Sequence, residues 1–383
     1  MTLVQFLGSK PLFYDVIDYE RFPAAYESIR SFLAIPKIIH IVGTNGKGST
    51  GRFLATALHR AGKKIGHYTS PHIVRFNERI WMDGEEISDE LLEKAHKKIL
   101  GILTSEYAHT LSYFEYTTLL AMVVFEECEY VVLEAGLGGE FDATNVFDKV
   151  LSVFTPIDFD HSAFLGNTIE SITTTKLRSM QRVALMGKQP FIETKIIARQ
   201  IANEKKTDIK CIDGMASVKI KEHALQNAIK NGLSDYLRDN LELAMAAYEV
   251  LGYTAEKVLF DQNALFGRLT KIKDNITLDV GHNSLAARAI AEAFRGQKVV
   301  LVYNTYADKD YQEILSILAP IIESVEIIEV DETRIVAREL LEGVIRDLRI
   351  TYCSFQEIRE DKKYLVFGSF SVAEAFLKRM KYN

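Results

Sequence analysis

Cysteine is scarce in this chain: there are three in 383 residues (Cys128, Cys211 and Cys353), far apart and without C-x-x-C spacing. So odd and sparse a set argues against a disulfide framework and reads as reduced, buried thiols in a cytoplasmic protein. Positive charge is not in excess either. The 46 Lys and Arg residues face 52 Asp and Glu, a formal net charge of −6, so nucleic acid is not an expected partner. Long apolar runs are missing: the longest, 119–125, is far too short to span a bilayer. Asp15, Asp18 and Glu20 arrive before any signal-peptide core can form. The expectation is therefore no membrane partner. No repeat and no low-complexity tract is evident. What is present, 48% hydrophobic and 26% charged residues, has the balance of a globular protein, and the length suits two or three domains.

Apolar, β-branched runs at 38–42, 130–134, 150–155, 276–280, 299–303, 325–330 and 364–367 alternate with amphipathic stretches at 89–103, 237–251, 286–294 and 338–348. This alternation predicts parallel βαβ units with helices on both faces of a sheet. A polar, poorly periodic stretch at 261–275 interrupts it, and 203–234 is charged and without clear period. The expected organisation is a large domain over 1–265, a linker over 266–275 and a smaller α/β domain over 276–383.

The richest segment is Ile39-His40-Ile41-Val42-Gly43-Thr44-Asn45-Gly46-Lys47-Gly48-Ser49-Thr50. An apolar strand enters a glycine-punctuated turn, and Lys47 then opens a helix. Backbone N–H groups, the helix N-terminus and a lysine together make a phosphate cradle. The usual G-x-x-x-x-G-K-[ST] pattern would place glycine at position 41 and a hydroxyl at position 48, where this chain has Ile41 and Gly48. The loop is thus a shorter variant, with Ser49 supplying the hydroxyl one residue late. A plain solvent-exposed turn is the competing reading.

Other strand ends carry polar groups. Glu134 closes a buried run and precedes Ala135-Gly136-Leu137-Gly138-Gly139, while Asp158, Asp160 and His161 follow Val153-Phe154-Thr155. In open α/β sheets ligands sit at such carboxyl ends, so Glu134 and His161 are candidates for a divalent ion beside the phosphate loop. A capping carboxylate and a hydrogen-bonded structural histidine are the plainer alternatives. Ser70, in Thr69-Ser70-Pro71-His72, adds a hydroxyl at another strand end or simply makes a turn. Asp279 suits ribose hydroxyls, and Asn283 reads equally as an N-cap.

Taken in order, these blocks resemble the folylpolyglutamate synthase / dihydrofolate synthase family of the Mur ligase superfamily. The resemblance rests on Gly43 to Ser49, Thr69-Ser70-Pro71-His72 with Phe76-Asn77-Glu78-Arg79-Ile80, and Glu134 to Gly139 with Asp142-Ala143-Thr144-Asn145. It continues through Asp160-His161, Leu165-Gly166-Asn167-Thr168, Gly267-Arg268-Leu269, Asp279 to Asn283 and Gly368-Ser369-Phe370. It implies an N-terminal P-loop-type, mostly parallel sheet flanked by helices, plus a smaller Rossmann-like C-terminal α/β domain. It also implies an ATP-dependent amide ligase that activates a carboxylate as an acyl phosphate and joins it to L-glutamate, in the cytoplasm and as a monomer.

By motif, Asn45, Gly46, Lys47, Gly48 and Ser49 would hold the ATP phosphates. Asn240, Arg268, Asp279 and His282 would be further nucleotide contacts. Ser70, Glu134, His161 and Lys176 would form the magnesium site, with a monovalent cation as a further candidate. Lys176 matches a lysine that the family carbamylates, and Lys47, His161 and Lys176 would be catalytic. Phe114, Glu115, Phe141, Asp142 and Ala143 match the pterin pocket, and Asp142 favours a bifunctional enzyme acting on dihydropteroate and on reduced folates. A polyglutamylating enzyme alone, another Mur-type peptide ligase and a noncatalytic ATP-binding switch are the alternatives. The chain departs from the family pattern at Glu140, Thr175, Leu177-Arg178-Ser179, Asp239-Asn240 and Val280-Gly281.

Overall fold

The computed structural model describes residues 1–11, 18–215, 218–261 and 264–382. Asp15, residues 216–217 of the charged stretch and 262–263 of the polar stretch lie outside them. The chain divides into two units, one of 1–227 and 239–262, the other of 228–238 and 263–383.

The first unit is built on an eight-stranded sheet. Its strands, in chain order, are β1 Lys37–Val42, β2 Ile65–Tyr68, β3 Ile80–Met82, β4 Glu85–Glu86, β5 Tyr130–Glu134, β6 Lys149–Phe154, β7 Val183–Met186 and β8 Asp208–Cys211. They lie in the order β4-β3-β2-β5-β1-β6-β7-β8. The pairs from β2 through β8 are parallel, and β3 and β4 add an antiparallel edge. β1 sits between β5 and β6 and buries every residue after Lys37, while β5 is buried throughout. This is why both read as unbroken apolar runs: a strand covered on both faces has no polar alternation. The parallel register Ile41↔Glu134 and Val42↔Phe154 brings the carboxyl ends of β1, β5 and β6 to one edge.

Helices on this unit begin where short polar side chains can cap them. Ser88, Thr104 and Ser112 accept from the N–H three residues on, and at Ser112 the Glu115 carboxylate returns the bond. The helix Tyr113–Val124 then buries Tyr116, Leu119, Leu120 and Met122 in the same core as Ile38, Val131 and Leu133.

The second unit holds a six-stranded sheet of β9 Thr270–Lys273, β10 Ile276–Leu278, β11 Val299–Tyr303, β12 Ile322–Ile327, β13 Tyr352–Ser354 and β14 Tyr364–Phe367, ordered β13-β12-β11-β14-β10-β9. All its pairs are parallel except β9 with β10. The expected mostly parallel α/β class is therefore present in both sheets.

Several local expectations change. Residues 270–273, read as linker, form the edge strand β9, whose Thr-Lys-Ile-Lys sequence alternates half-buried and exposed residues and so lacks an apolar run. β12 ends at Ile327 rather than 330, because its partner β11 ends opposite it at Tyr303. The charged 203–234 stretch holds β8 and the helix Val218–Asn231. The helix expected over 237–251 runs from Asp235 to Val250 and carries Asn240 in its second turn.

Candidate active site

The β1 exit is built for close approach. Gly46 adopts φ 86°, a left-handed conformation open to glycine, and caps the helix Lys47–Arg60. A Cβ on Gly46 would lie 2.4 Å from Asn240 Oδ1, and one on Gly43 would lie 2.0 Å from Thr155 Oγ1. The turn is also tied to the β6 exit. Thr44 N–H donates to Pro156 O at 2.9 Å, and Thr44 Oγ1 donates to Asp158 O and accepts from Asp158 N–H, at 2.9 and 3.0 Å. Thr44 and Asp158 thus fix the loop, a role that needs the folded β1–β6 pairing and leaves no signature in spacing.

Lys47 Nζ donates to the Gly43 and Thr44 carbonyls, each at 3.2 Å, and lies 3.9 Å from Glu134 Oε1 at the end of β5. Lys176, on the helix Ile169–Leu177, is 3% exposed and donates to the same Gly43 carbonyl at 3.0 Å. Two ammonium groups thus share one backbone oxygen. Burial, reinforced by the Lys47 charge, pulls the Lys176 pKa from 10.5 down to about 7. Ser49 Oγ, Thr50 Oγ1 and Asn240 Nδ2 are buried with no hydrogen-bond partner among the described residues. Unsatisfied buried donors beside a glycine turn and a helix N-terminus fit an anion with several acceptor oxygens.

His161 is held at φ 52°, ψ 40°, costly for a non-glycine residue by about 1–3 kcal/mol. Its N–H donates to Asp160 Oδ1 at 2.9 Å, and its Nε2 lies 3.8 Å from Asp160 Oδ2. Asp160 was legible as the acid beside His161, but its orienting contact was not. Ser70 follows β2 and is half-buried. No cluster of three His, Cys, Asp or Glu side chains suited to a metal occurs among the described residues. A magnesium ion would not need one, since it commonly keeps waters and takes one or two carboxylates plus phosphate oxygens.

The glycine turn after β5 packs on the helix that carries Lys176. Glu140 N–H donates to Thr175 O at 2.9 Å, and a Cβ on Gly139 would lie 2.7 Å from Lys176 O. Asp142 is buried and accepts from Leu137 N–H at 2.7 Å, from Thr144 N–H at 2.9 Å and from the Thr144 hydroxyl. Burial raises its pKa, and those hydrogen bonds oppose the rise. Thr144 Oγ1 in turn lies 2.7 Å from Nε2 of His40, a β1 histidine that burial keeps neutral. Ala143 opens the short turn that follows and is buried. Phe114 lies against the same turn, 2.6 Å from where a Gly136 Cβ would stand. Glu115 points its carboxylate elsewhere, forming a bidentate pair with Arg21 and accepting from Ser112 N–H at 2.7 Å. Phe141 is exposed, its ring centroid 4.4 Å from that of Tyr19.

In the second unit, Asp279 accepts three protein hydrogen bonds, from the Tyr236 hydroxyl and Leu269 N–H at 2.9 Å and from Gly281 N–H at 2.8 Å. It thereby shapes the turn carrying Arg268, whose guanidinium lies 5.5 Å from the Phe370 ring centroid. His282 Nδ1 lies 3.2 Å from Val280 O. Asn283 caps the helix Ser284–Ala293.

A glycine–lysine turn between strand and helix, with a carboxylate at the next strand end, defines an α/β protein of the phosphate-binding class. No family model matches the chain. It is 30% identical over 340 residues to the dihydrofolate synthase/folylpolyglutamate synthase of Bacillus subtilis, covering 78% of this chain and 77% of that one. Its structure is similar to that of Helicobacter pylori folylpolyglutamate synthetase, with 39% identity, a TM-score of 0.81 and coverage of 100% and 98%. It is also similar to E. coli FolC in complex with DHPP and ADP, with 25% identity, a TM-score of 0.83 and the same coverage. The chain belongs to the dihydrofolate synthase/folylpolyglutamate synthase family, and it is an ATP-dependent ligase of folate biosynthesis.

Proposed function

We propose that this ligase adds L-glutamate both to dihydropteroate and to the γ-carboxyl of reduced folates. Phosphoryl transfer at this site is supported by Lys47 and Lys176 converging on the Gly43 carbonyl, with Glu134 beside Lys47, at the mouth of the glycine turn. A carboxylate is a poor electrophile, and transfer of the ATP γ-phosphoryl group gives an acyl phosphate with a good leaving group. The glutamate amine attacks its carbonyl carbon, and amide, ADP and phosphate result. Positioning and charge neutralisation dominate such a reaction.

Asn45 to Ser49 hold the phosphates, with Lys47 on the transferred group. Asn240 closes over Gly46, and Arg268, Asp279 and His282 are the nucleotide residues of the second unit. Ser70, Glu134 and His161 would hold magnesium, which would supply charge neutralisation for phosphoryl transfer. Lys176 is a carbamate in the working enzyme. Its depressed pKa leaves much of the amine neutral near pH 7, so the nitrogen lone pair can attack the carbon of CO2 and release a proton to solvent. The carbamate would keep one N–H for the Gly43 carbonyl and would add two oxygens suited to a metal.

Asp142, set among Leu137, Thr144 and His40, supports pterin binding beside Phe114 and Ala143, and with it the dihydropteroate reaction. The E. coli relative's complex with DHPP and ADP agrees with a pterin and a nucleotide as ligands. The test is phosphate release with ATP and L-glutamate plus either acid. Turnover with both is expected. Turnover with reduced folate alone would leave polyglutamylation as the only activity, and turnover with neither would overturn the proposal.

A further inference from the structure

Arg79 is 8% exposed, and no carboxylate pairs with it among the described residues. Buried guanidinium groups are ordinarily matched by an anion, because an unpaired charge taken from water is costly. Here Nε donates to His72 Nδ1 at 2.8 Å, and the guanidinium carbon lies 5.2 Å from the Tyr113 ring centroid and 5.9 Å from that of Phe76. An imidazole, whatever its protonation, brings Arg79 no negative charge. The ring faces offset part of the cost of burial but bring no counter-charge.

Three acids of the flanking segments have partners other than Arg79. Glu78 accepts the N–H groups of Ile73, Val74 and Arg75 at 2.7, 2.8 and 2.6 Å. Asp89 accepts from Asn77 and lies 3.8 Å from Arg75, while Glu115 pairs with Arg21. Arg79 nonetheless sits at the functional edge of the sheet. Thr69, at the β2 exit, donates its N–H to Arg79 O at 2.9 Å, and Tyr113 precedes Phe114, which packs on the Gly136 turn.

We infer that Arg79 is a substrate-carboxylate receptor, whose planar fork takes a nonreacting carboxylate of the substrates during ligation. This rests on the function proposed above. Two groups have that chemistry, the α-carboxylate of a folate's terminal glutamate and the carboxylates of incoming L-glutamate. A paired guanidinium–carboxylate contact is planar and bidentate, and a lysine cannot reproduce it.

Steady-state kinetics on Arg79→Gln and Arg79→Lys separate these sources. With tetrahydrofolate monoglutamate as the acid, its KM is expected to rise about tenfold or more in Arg79→Gln and less in Arg79→Lys. The KM for ATP should stay within about twofold. A rise confined to that folate, with dihydropteroate unaffected, identifies the tail α-carboxylate. A rise in the L-glutamate KM with either acid identifies the incoming amino acid. Unchanged KM values for both folate and glutamate, or an equal loss for every substrate including ATP, would overturn the inference. Should Arg79→Gln fail to fold, Arg79→Lys decides it by the same split. Wild-type turnover with neither acid would overturn the reading on which the inference rests, whatever the variants do.

Discussion

Replacing Lys176 with methionine should make the protein more stable and catalytically dead. Burial takes the Lys176 pKa from 10.5 to about 7. Between those values the unfolded chain holds a proton that the folded chain has released. Stability therefore rises with pH across that window, and below about pH 7 the folded state bears the full cost of the buried cation. A fall of about 3.5 in pKa, at about 1.4 kcal/mol for each, sets that cost at about 5 kcal/mol. Methionine fills similar space without charge but forfeits the bond to the Gly43 carbonyl, a loss of about 1–3 kcal/mol. The net gain should be about 2–4 kcal/mol at pH 6, shrink as the pH rises above about 7, and reverse sign between about pH 8 and 10, where the lost hydrogen bond outweighs the fading charge cost. Urea unfolding of both proteins in bicarbonate-free buffer at several pH values measures it, since a carbamate would remove the cation from the wild type. A variant less stable than the wild type at pH 6, or a difference independent of pH, would refute the reasoning.

Lys47→Ala and His161→Ala should each lower ligation by at least about a hundredfold while leaving thermal unfolding nearly unchanged; substantial retained turnover in either would remove it from the site. Gly46→Ala forces a side chain into a left-handed turn against Asn240, and should raise the ATP KM and destabilise by about 1–3 kcal/mol. Adding Asn240→Ala should relieve the contact but not the backbone strain, so a full recovery of stability in the double variant would contradict that division.

The glycine–lysine turn was legible because everything that shapes it is local: an apolar strand, glycines at the close approaches and a lysine at the helix start. β9 was not, since its alternating lysines look like linker when the partner strand is unknown. The long helix was misjudged by two residues because Asp235 and Tyr236 precede its apolar periodicity. Side-chain commitments were the least readable. That Glu115 turns to Arg21 and that Asp279 accepts from Tyr236 depend on partners 94 and 43 residues away in the chain. Arg79 lay in a segment quoted for its resemblance, yet its lack of a carboxylate partner among the described residues depends on contacts that engage Glu78, Asp89 and Glu115 elsewhere.

In the proposed reaction, ATP activates the substrate carboxylate by phosphorylation before the amine attacks. Heavy-oxygen label placed in the reacting carboxylate tests it directly, with mass spectrometry of the phosphate released during a single round of glutamate addition. One labelled oxygen is expected in each phosphate, carried over when the acyl phosphate is displaced. Phosphate free of label, formed together with amide product, would contradict it.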